Sequence, residues 1–122
     1  MNAYLWVALG SALGGMARYW VGSHLAPTAV HLGFPAGTLL INVLGGFVIG
    51  VASGWMEMQT VRWFVMTGIC GGFTTFSAFS LEMLQLSHTG QSGRAALYGF
   101  MSVLLCFGSV GAGSLLARSI RA

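Results

Sequence analysis

The feature that most limits what this chain can fold into is its lack of charge. Only 6% of its 122 residues are charged, against 56% that are hydrophobic, whereas an average soluble domain is about 25% charged. The inventory is Arg18, Arg62, Arg94, Arg118, Arg121, Glu57 and Glu82, with His24, His31 and His88 as further titratable groups. That is too little charge to solvate a surface on all sides. Disorder is excluded as well, because it needs low hydrophobicity and high net charge. The net charge of +3 comes from arginines scattered singly along the chain, not from the clustered basic face that marks a nucleic-acid binder. No nucleic-acid partner is expected. Cys70 and Cys106 lie in apolar runs with no His or Cys at metal-ligand spacing, so they read as buried, unpaired thiols.

A helix that crosses the hydrocarbon core of a bilayer needs about 20 mostly apolar residues. Four stretches qualify, at about residues 3–25, 38–56, 63–86 and 95–117. Between the first two, Pro27, Gly33, Pro35 and Gly37 mark a loop by their turn chemistry. Glu57 to Arg62 forms a short polar turnaround, and Ser87 to Arg94 a second loop. The amino end lacks the positive flank of a signal peptide, and its apolar run is longer than such a peptide needs. The first span is therefore expected to be retained. Residues 1–122 are expected to form one all-α, four-helix integral membrane domain.

With four spans, both termini share one side of the membrane. That side holds Arg62, Arg118 and Arg121, and the other holds Arg94, joined by Arg18 if it lies near the end of its span. Loop Lys and Arg set orientation during insertion, so this near balance predicts a chain that inserts both ways up. The 19 glycines point to close helix packing, since small residues let backbones approach in lipid. Gly10 and Gly14, then Gly46, Gly50 and Gly54, then Gly68 and Gly72 fall at four-residue spacing. Packing within the chain is one reading of these stripes. The triple stripe on the second span also suggests a partner helix, and four packed helices leave no room for a polar path. A homodimer is expected, antiparallel if both orientations are inserted.

Enzyme chemistry fails on inventory. Glu57 and Glu82 lie on different elements and the histidines fall in or beside loops, so no acid–base pair is set up. The informative stretch is the third span, Gly68-Ile-Cys-Gly-Gly-Phe-Thr-Thr-Phe-Ser-Ala-Phe-Ser-Leu-Glu82. Paired glycines followed by two threonines are poor helix formers. A break there frees backbone groups that only a protein interior or a wet cavity tolerates, as in transport proteins that use such groups for ions. The alternative is a continuous helix whose Ser and Thr hydroxyls bond to the preceding turn. Phe76 and Phe79 are either core aromatics or rings whose positive edges face a small anion. Thr38 and Asn42, four apart on the second span, with Ser77 and Ser80, supply neutral donors. Asn42 serves either to bond helices together or to line a pore. Arg18 either snorkels or sits deep at a cost of about 2.5–3.5 kcal/mol. Ser102, Cys106 and Ser109 form a helical stripe on the fourth span.

These residues resemble the Fluc (CrcB) fluoride channels. The resemblance is carried by Gly14-Gly15-Met-Ala-Arg18, by Gly37-Thr38-Leu-Leu-Ile-Asn42-Val-Leu-Gly45 and by the long third-span run. It implies a bacterial inner-membrane protein that forms an antiparallel, dual-topology homodimer with two pores, and lets fluoride leave the cytoplasm passively. It further implies that Phe76, Phe79 and Asn42 line the pore, that Thr38, Ser77 and Ser80 serve the fluoride path, and that Arg18 lies near a vestibule. The carbonyls of Gly71 and Thr74 would hold a sodium ion at the dimer interface, and Glu82 is the carboxylate after the motif. Ser102 and Ser109 stand where a fourth-span polar track would run. Ala78 replaces a threonine that many members carry. Two other readings compete: a small dual-topology multidrug exporter, which would need a membrane carboxylate that the first span lacks, and a structural membrane subunit, which leaves the third-span run without a purpose.

Overall fold

The computed structural model describes residues 2–122, and every element among them is helical. α1 (Ala3–Leu32) starts at Asn2, whose side chain accepts a hydrogen bond from the Leu5 N–H at 3.1 Å. α2 spans Ala36–Trp55. The third apolar stretch is built in pieces: α3 (Gln59–Arg62), a π-helix over Trp63–Cys70, one turn of α4 (Gly71–Phe73) and α5 (Phe76–His88). α6 runs over Ser92–Arg121. The stretches Ala36–Trp55, Gln59–His88 and Ser92–Arg121 are long and apolar enough to cross a membrane. The chain is a multi-pass membrane protein. α1 is equally long, at 30 residues, but Arg18, His24 and His31 leave it less apolar than those three.

Three expected boundaries are wrong, two of them because Gln59–Arg62 of the foreseen turnaround and Ser92–Arg94 of the foreseen second loop are already helical. The loop foreseen to begin at Pro27 begins instead at Gly33, because α1 runs straight through Pro27. A proline removes one donor, the N–H that would have met the Ser23 carbonyl, and bends a helix without having to end it. What ends α1 is Gly33, in the left-handed conformation at φ +58°, with its N–H on the carbonyls of Ala29 and Val30. Pro35 follows two residues later, the usual order of glycine cap and then proline.

Two helix pairs make the framework. α1 packs on the π-helix and α4, and α2 packs along α6. The glycine stripes are used here, inside the chain. A Cβ on Gly10 or Gly14 would strike the carbonyls of Phe64 or Ile69, and one on Gly72 would lie 2.6 Å from the Ser11 carbonyl oxygen. Gly46, Gly50 and Gly54 face Ser109, Val110 and Ala117 of α6. The triple stripe therefore supplies no surface for a second chain, and the expectation of a dimer loses that support. Gly15, Gly93, Gly108 and Gly111 are the glycines with open space around them along α1 and α6. Buried side chains are few and small apart from Ile41, Tyr98 and Phe79, while large apolar groups such as Leu13, Met16, Leu104 and Phe107 point outward. That inversion of the soluble pattern suits an apolar surrounding.

Candidate ion-binding site

The third stretch breaks where the Gly-Gly-x-Thr-Thr run lies. Thr74 (φ −76°, ψ 156°) and Thr75 (φ −149°, ψ 111°) are extended between α4 and α5. Leaving the helix deprives the last carbonyls of α4 and the first N–H groups of α5 of their normal partners. The chain replaces some of these and leaves others open. Asn42 of α2 meets Thr75 on both sides: its Oδ1 accepts from the Thr75 N–H at 2.8 Å and its Nδ2 donates to the Thr75 carbonyl at 3.1 Å. Thr75 in turn caps α5, its Oγ1 accepting from the Ala78 N–H at 3.2 Å, with the Ser77 hydroxyl 3.3 Å away. Thr74 Oγ1 donates back to the Cys70 carbonyl at 2.9 Å. Gly45, one turn beyond Asn42, admits the Thr74 methyl, which any Cβ there would displace.

In a continuous helix the Gly71 carbonyl would receive the Thr75 N–H, which Asn42 takes instead. Gly71 is also exposed. The Thr74 carbonyl meets only Arg18, whose Nη1 stands at 3.5 Å. Arg18 is thus half-buried with its guanidinium against the break. No three His, Cys, Asp or Glu side chains gather into a metal-binding group among the described residues. A cation held here would need carbonyl oxygens, and Gly71 and Thr74 present two that helix bonding does not claim. The donor set fits a small hard cation of the sodium type, which takes oxygen ligands.

Below the break the aromatic rings form a column. Phe76 and Phe79 have centroids 5.3 Å apart, Phe79 and Tyr98 5.2 Å, and Tyr98 and Phe34 5.1 Å with an edge-on angle of 81°. Phe79 and Tyr98 are buried, whereas Phe76 is 77% exposed. Beside the column lies a cluster that sequence reasoning missed. The Thr38 hydroxyl donates to Glu82 Oε1 and the Tyr98 hydroxyl to Glu82 Oε2, each at 2.6 Å. Thr38 was expected to serve an anion directly, and here its hydroxyl faces the carboxylate. Tyr98 had been passed over, although a buried tyrosine must find a partner for its hydroxyl and lies four residues before Ser102, on the same face of α6.

Two recesses flank this cluster. One, of about 350 Å³, is lined by Asn42, Cys70, Gly71, Thr74, Phe76, Phe79, Ser102 and Cys106, among others. The other, about 340 Å³, is lined by Phe34, Glu82, Gln85 and neighbours. Ser102 lines the first with a buried hydroxyl that has no hydrogen-bond partner. Ser80 and Ser109 return their hydroxyls to the carbonyls of Phe76 and Cys106, at 2.9 Å and 2.8 Å. The structure thus brings Asn42, Thr74, Gly71, Phe76, Phe79 and Ser102 to one recess, with Arg18 touching its edge. Ser77 lies at the start of α5, and Ser80 and Ser109 do not line either recess.

Residues 5–114 match the family model described as CrcB-like protein, Camphor Resistance (CrcB). Similar curated proteins carry the name fluoride-specific ion channel FluC. One from Methylocella silvestris is 45% identical, covering 96% of this chain and 94% of the relative. One from Hyphomonas neptunium is 41% identical over 98% of each, and one from Opitutus terrae is 44% identical over 96% of this chain and 93% of its own length.

Proposed function

The chain belongs to the CrcB family, a family of ion channels and not enzymes, and on that premise we propose that it is a passive fluoride channel of the bacterial inner membrane. α1 joins the three more apolar stretches as the fourth crossing, and two chains pair antiparallel to give two pores. The observation that carries the reading is the interrupted helix at Thr74–Thr75, fastened by Asn42 and opening into a recess lined by Phe76, Phe79 and Ser102.

Fluoride is small and holds its water tightly, so it crosses only where fixed groups replace that water. The Ser102 hydroxyl has a donor to spare. Ring edges of Phe76 and Phe79 offer partial positive charge to an anion and little to a cation. The Arg18 guanidinium beside the break adds a full positive charge. A narrow path lined by such groups disfavours chloride, which is larger and gains less from each close donor. Glu82 is screened from the anion by the Thr38 and Tyr98 hydroxyls, which occupy both of its oxygens. Conversely, a rearrangement that released Thr38 would free a hydroxyl for the path.

A sodium ion fits the Gly71 and Thr74 carbonyls of two chains meeting at the break. When bound, it supplies positive charge that ties the seam and favours nearby anions. The chain's own part is to leave the Gly71 carbonyl open, which Asn42 does by holding the Thr75 N–H, and to carry the Thr74 carbonyl out of the helix, where it meets the Arg18 guanidinium. Phe76, exposed in a single chain, would be covered across that seam. A proton-coupled drug exporter would need a free carboxylate in its pathway, and Glu82 has both oxygens engaged.

The test is fluoride efflux from liposomes carrying the purified protein, with internal pH followed in parallel. Fluoride loss driven by its own gradient, with a potassium ionophore to balance charge and no matching proton exchange, supports the channel. Strict coupling of fluoride to protons, or no efflux, refutes it.

A further inference from the structure

A half-buried arginine in a membrane bundle needs partners, and Arg18 has almost none. α1 brings it to the break: Gly14, four residues earlier and so on the same face, is where a Cβ would strike the Ile69 carbonyl and the Phe73 nitrogen. A guanidinium carries five N–H donors. Among the described residues, the one hydrogen bond of Arg18 runs from Nη1 to the Thr74 carbonyl at 3.5 Å, well beyond the usual length of about 2.9–3.0 Å. The chain has two acidic side chains, and neither is free to pair with it. Glu57 pairs with Arg121, and Glu82 accepts from Thr38 and Tyr98. The single acceptor that Arg18 holds is also one of the two carbonyls that fit a sodium ion. From this shared acceptor we propose that Arg18 and the cation exclude each other at the Thr74 carbonyl, and that a cation bound there turns the guanidinium over to the anion.

This inference rests on the sodium reading and adds to it a residue that opposes the ion. Two unit positive charges at one oxygen repel strongly where water is scarce. The contact that gives way is the long, single one made by Arg18. Without the cation, the guanidinium supplies a donor to a carbonyl that has left the helix. With the cation in place the ion satisfies that oxygen, and all five donors of Arg18 are released. A released guanidinium in apolar surroundings is costly until it meets a negative group. Both carboxylates are engaged, so the group it meets is the anion in transit. Arg18 thus couples the two ions: occupation of the cation site raises the affinity of the break for fluoride. Such coupling is reciprocal, so fluoride tightens the binding of the cation by the same factor.

The probe is radioactive sodium, followed by equilibrium dialysis against the purified full chain in detergent. N-methylglucamine chloride or N-methylglucamine fluoride holds the ionic strength constant. In the parent, exchanging chloride for fluoride is expected to tighten sodium binding at least fivefold. Arg18→Gln removes the competing charge, so it is expected to bind sodium at least tenfold more tightly than the parent in chloride. Fluoride should then tighten binding less than twofold, the remainder being direct attraction between the two ions. Arg18→Lys keeps the charge and is expected to stay within threefold of the parent in chloride. Gel filtration and helical circular dichroism establish that each variant has the size and helicity of the parent. Equal sodium affinity in the parent and Arg18→Gln would overturn the proposal while leaving the cation site standing; no sodium bound by either would overturn both. Tight binding in Arg18→Lys would overturn the claim that charge excludes the ion. A parent whose sodium affinity ignores fluoride would overturn the coupling, even if neither variant folds.

Discussion

Replacing Asn42 with alanine removes both hydrogen bonds that hold the Thr75 backbone off the helix, one at 2.8 Å and one at 3.1 Å. Side-chain hydrogen bonds within membrane bundles contribute about 0.6 kcal/mol on average and about 1.7 kcal/mol at most. Two of them give about 1–3 kcal/mol. A continuous helix would satisfy the same Thr75 groups without Asn42, because the N–H would return to the Gly71 carbonyl. The balance between broken and continuous forms should therefore move by that amount, a factor of about 5–150. Fluoride efflux from liposomes, measured with a fluoride electrode, is expected to fall by a factor in that range. Asn42→Asp keeps the acceptor, loses the donor and adds a charge, so its flux should fall at least as far. Flux within twofold of the parent in the alanine variant, with helicity and oligomeric state unchanged, would refute the claim that Asn42 maintains the break.

Other expected outcomes are independent of that one. Phe76→Ile should lower fluoride flux at least tenfold while leaving the helical circular dichroism of the purified protein unchanged, since the ring is 77% exposed within its own chain. Gly14→Ala and Gly50→Ala each drive a methyl into a backbone carbonyl of the facing helix and should destabilise by about 1–3 kcal/mol; Gly108→Ala, with open space around it, should be neutral in thermal unfolding in detergent. A reporter fused to the carboxyl end should give signal on both sides of the membrane if the chain inserts in two orientations. Signal from one side only would argue against antiparallel pairing.

The helices and the break were legible because each depends on local chemistry. Apolar runs of membrane length mark the crossings, and Gly71-Gly72 followed by Thr74-Thr75 marks the interruption. The end of α1 was misread because Pro27 looks like a terminator, whereas Gly33, able to adopt positive φ, performs that role. The π-helix over Trp63–Cys70 has no local signature. Its use is seen only in packing, where a Cβ on Gly68 would lie 2.8 Å from the Gly10 Cα. The glycine stripes were visible, but their partners were not: spacing shows that a face is narrow without showing what lies against it. The Thr38–Glu82–Tyr98 cluster joins residues from α2, α5 and α6. Contacts that span 44 and 16 residues of sequence leave no periodic trace in a single chain. Tyr98 could have been suspected from its lone hydroxyl in an apolar helix, and Glu82 from the need of a carboxylate in such a setting for donors.

Ion selectivity tests the central claim most directly. With the purified protein in a planar bilayer, fluoride on one side and chloride on the other, the reversal potential reports which anion passes. The account expects a potential near that of a membrane permeable to fluoride alone. A potential near zero, with the two halides carrying comparable current, would contradict it.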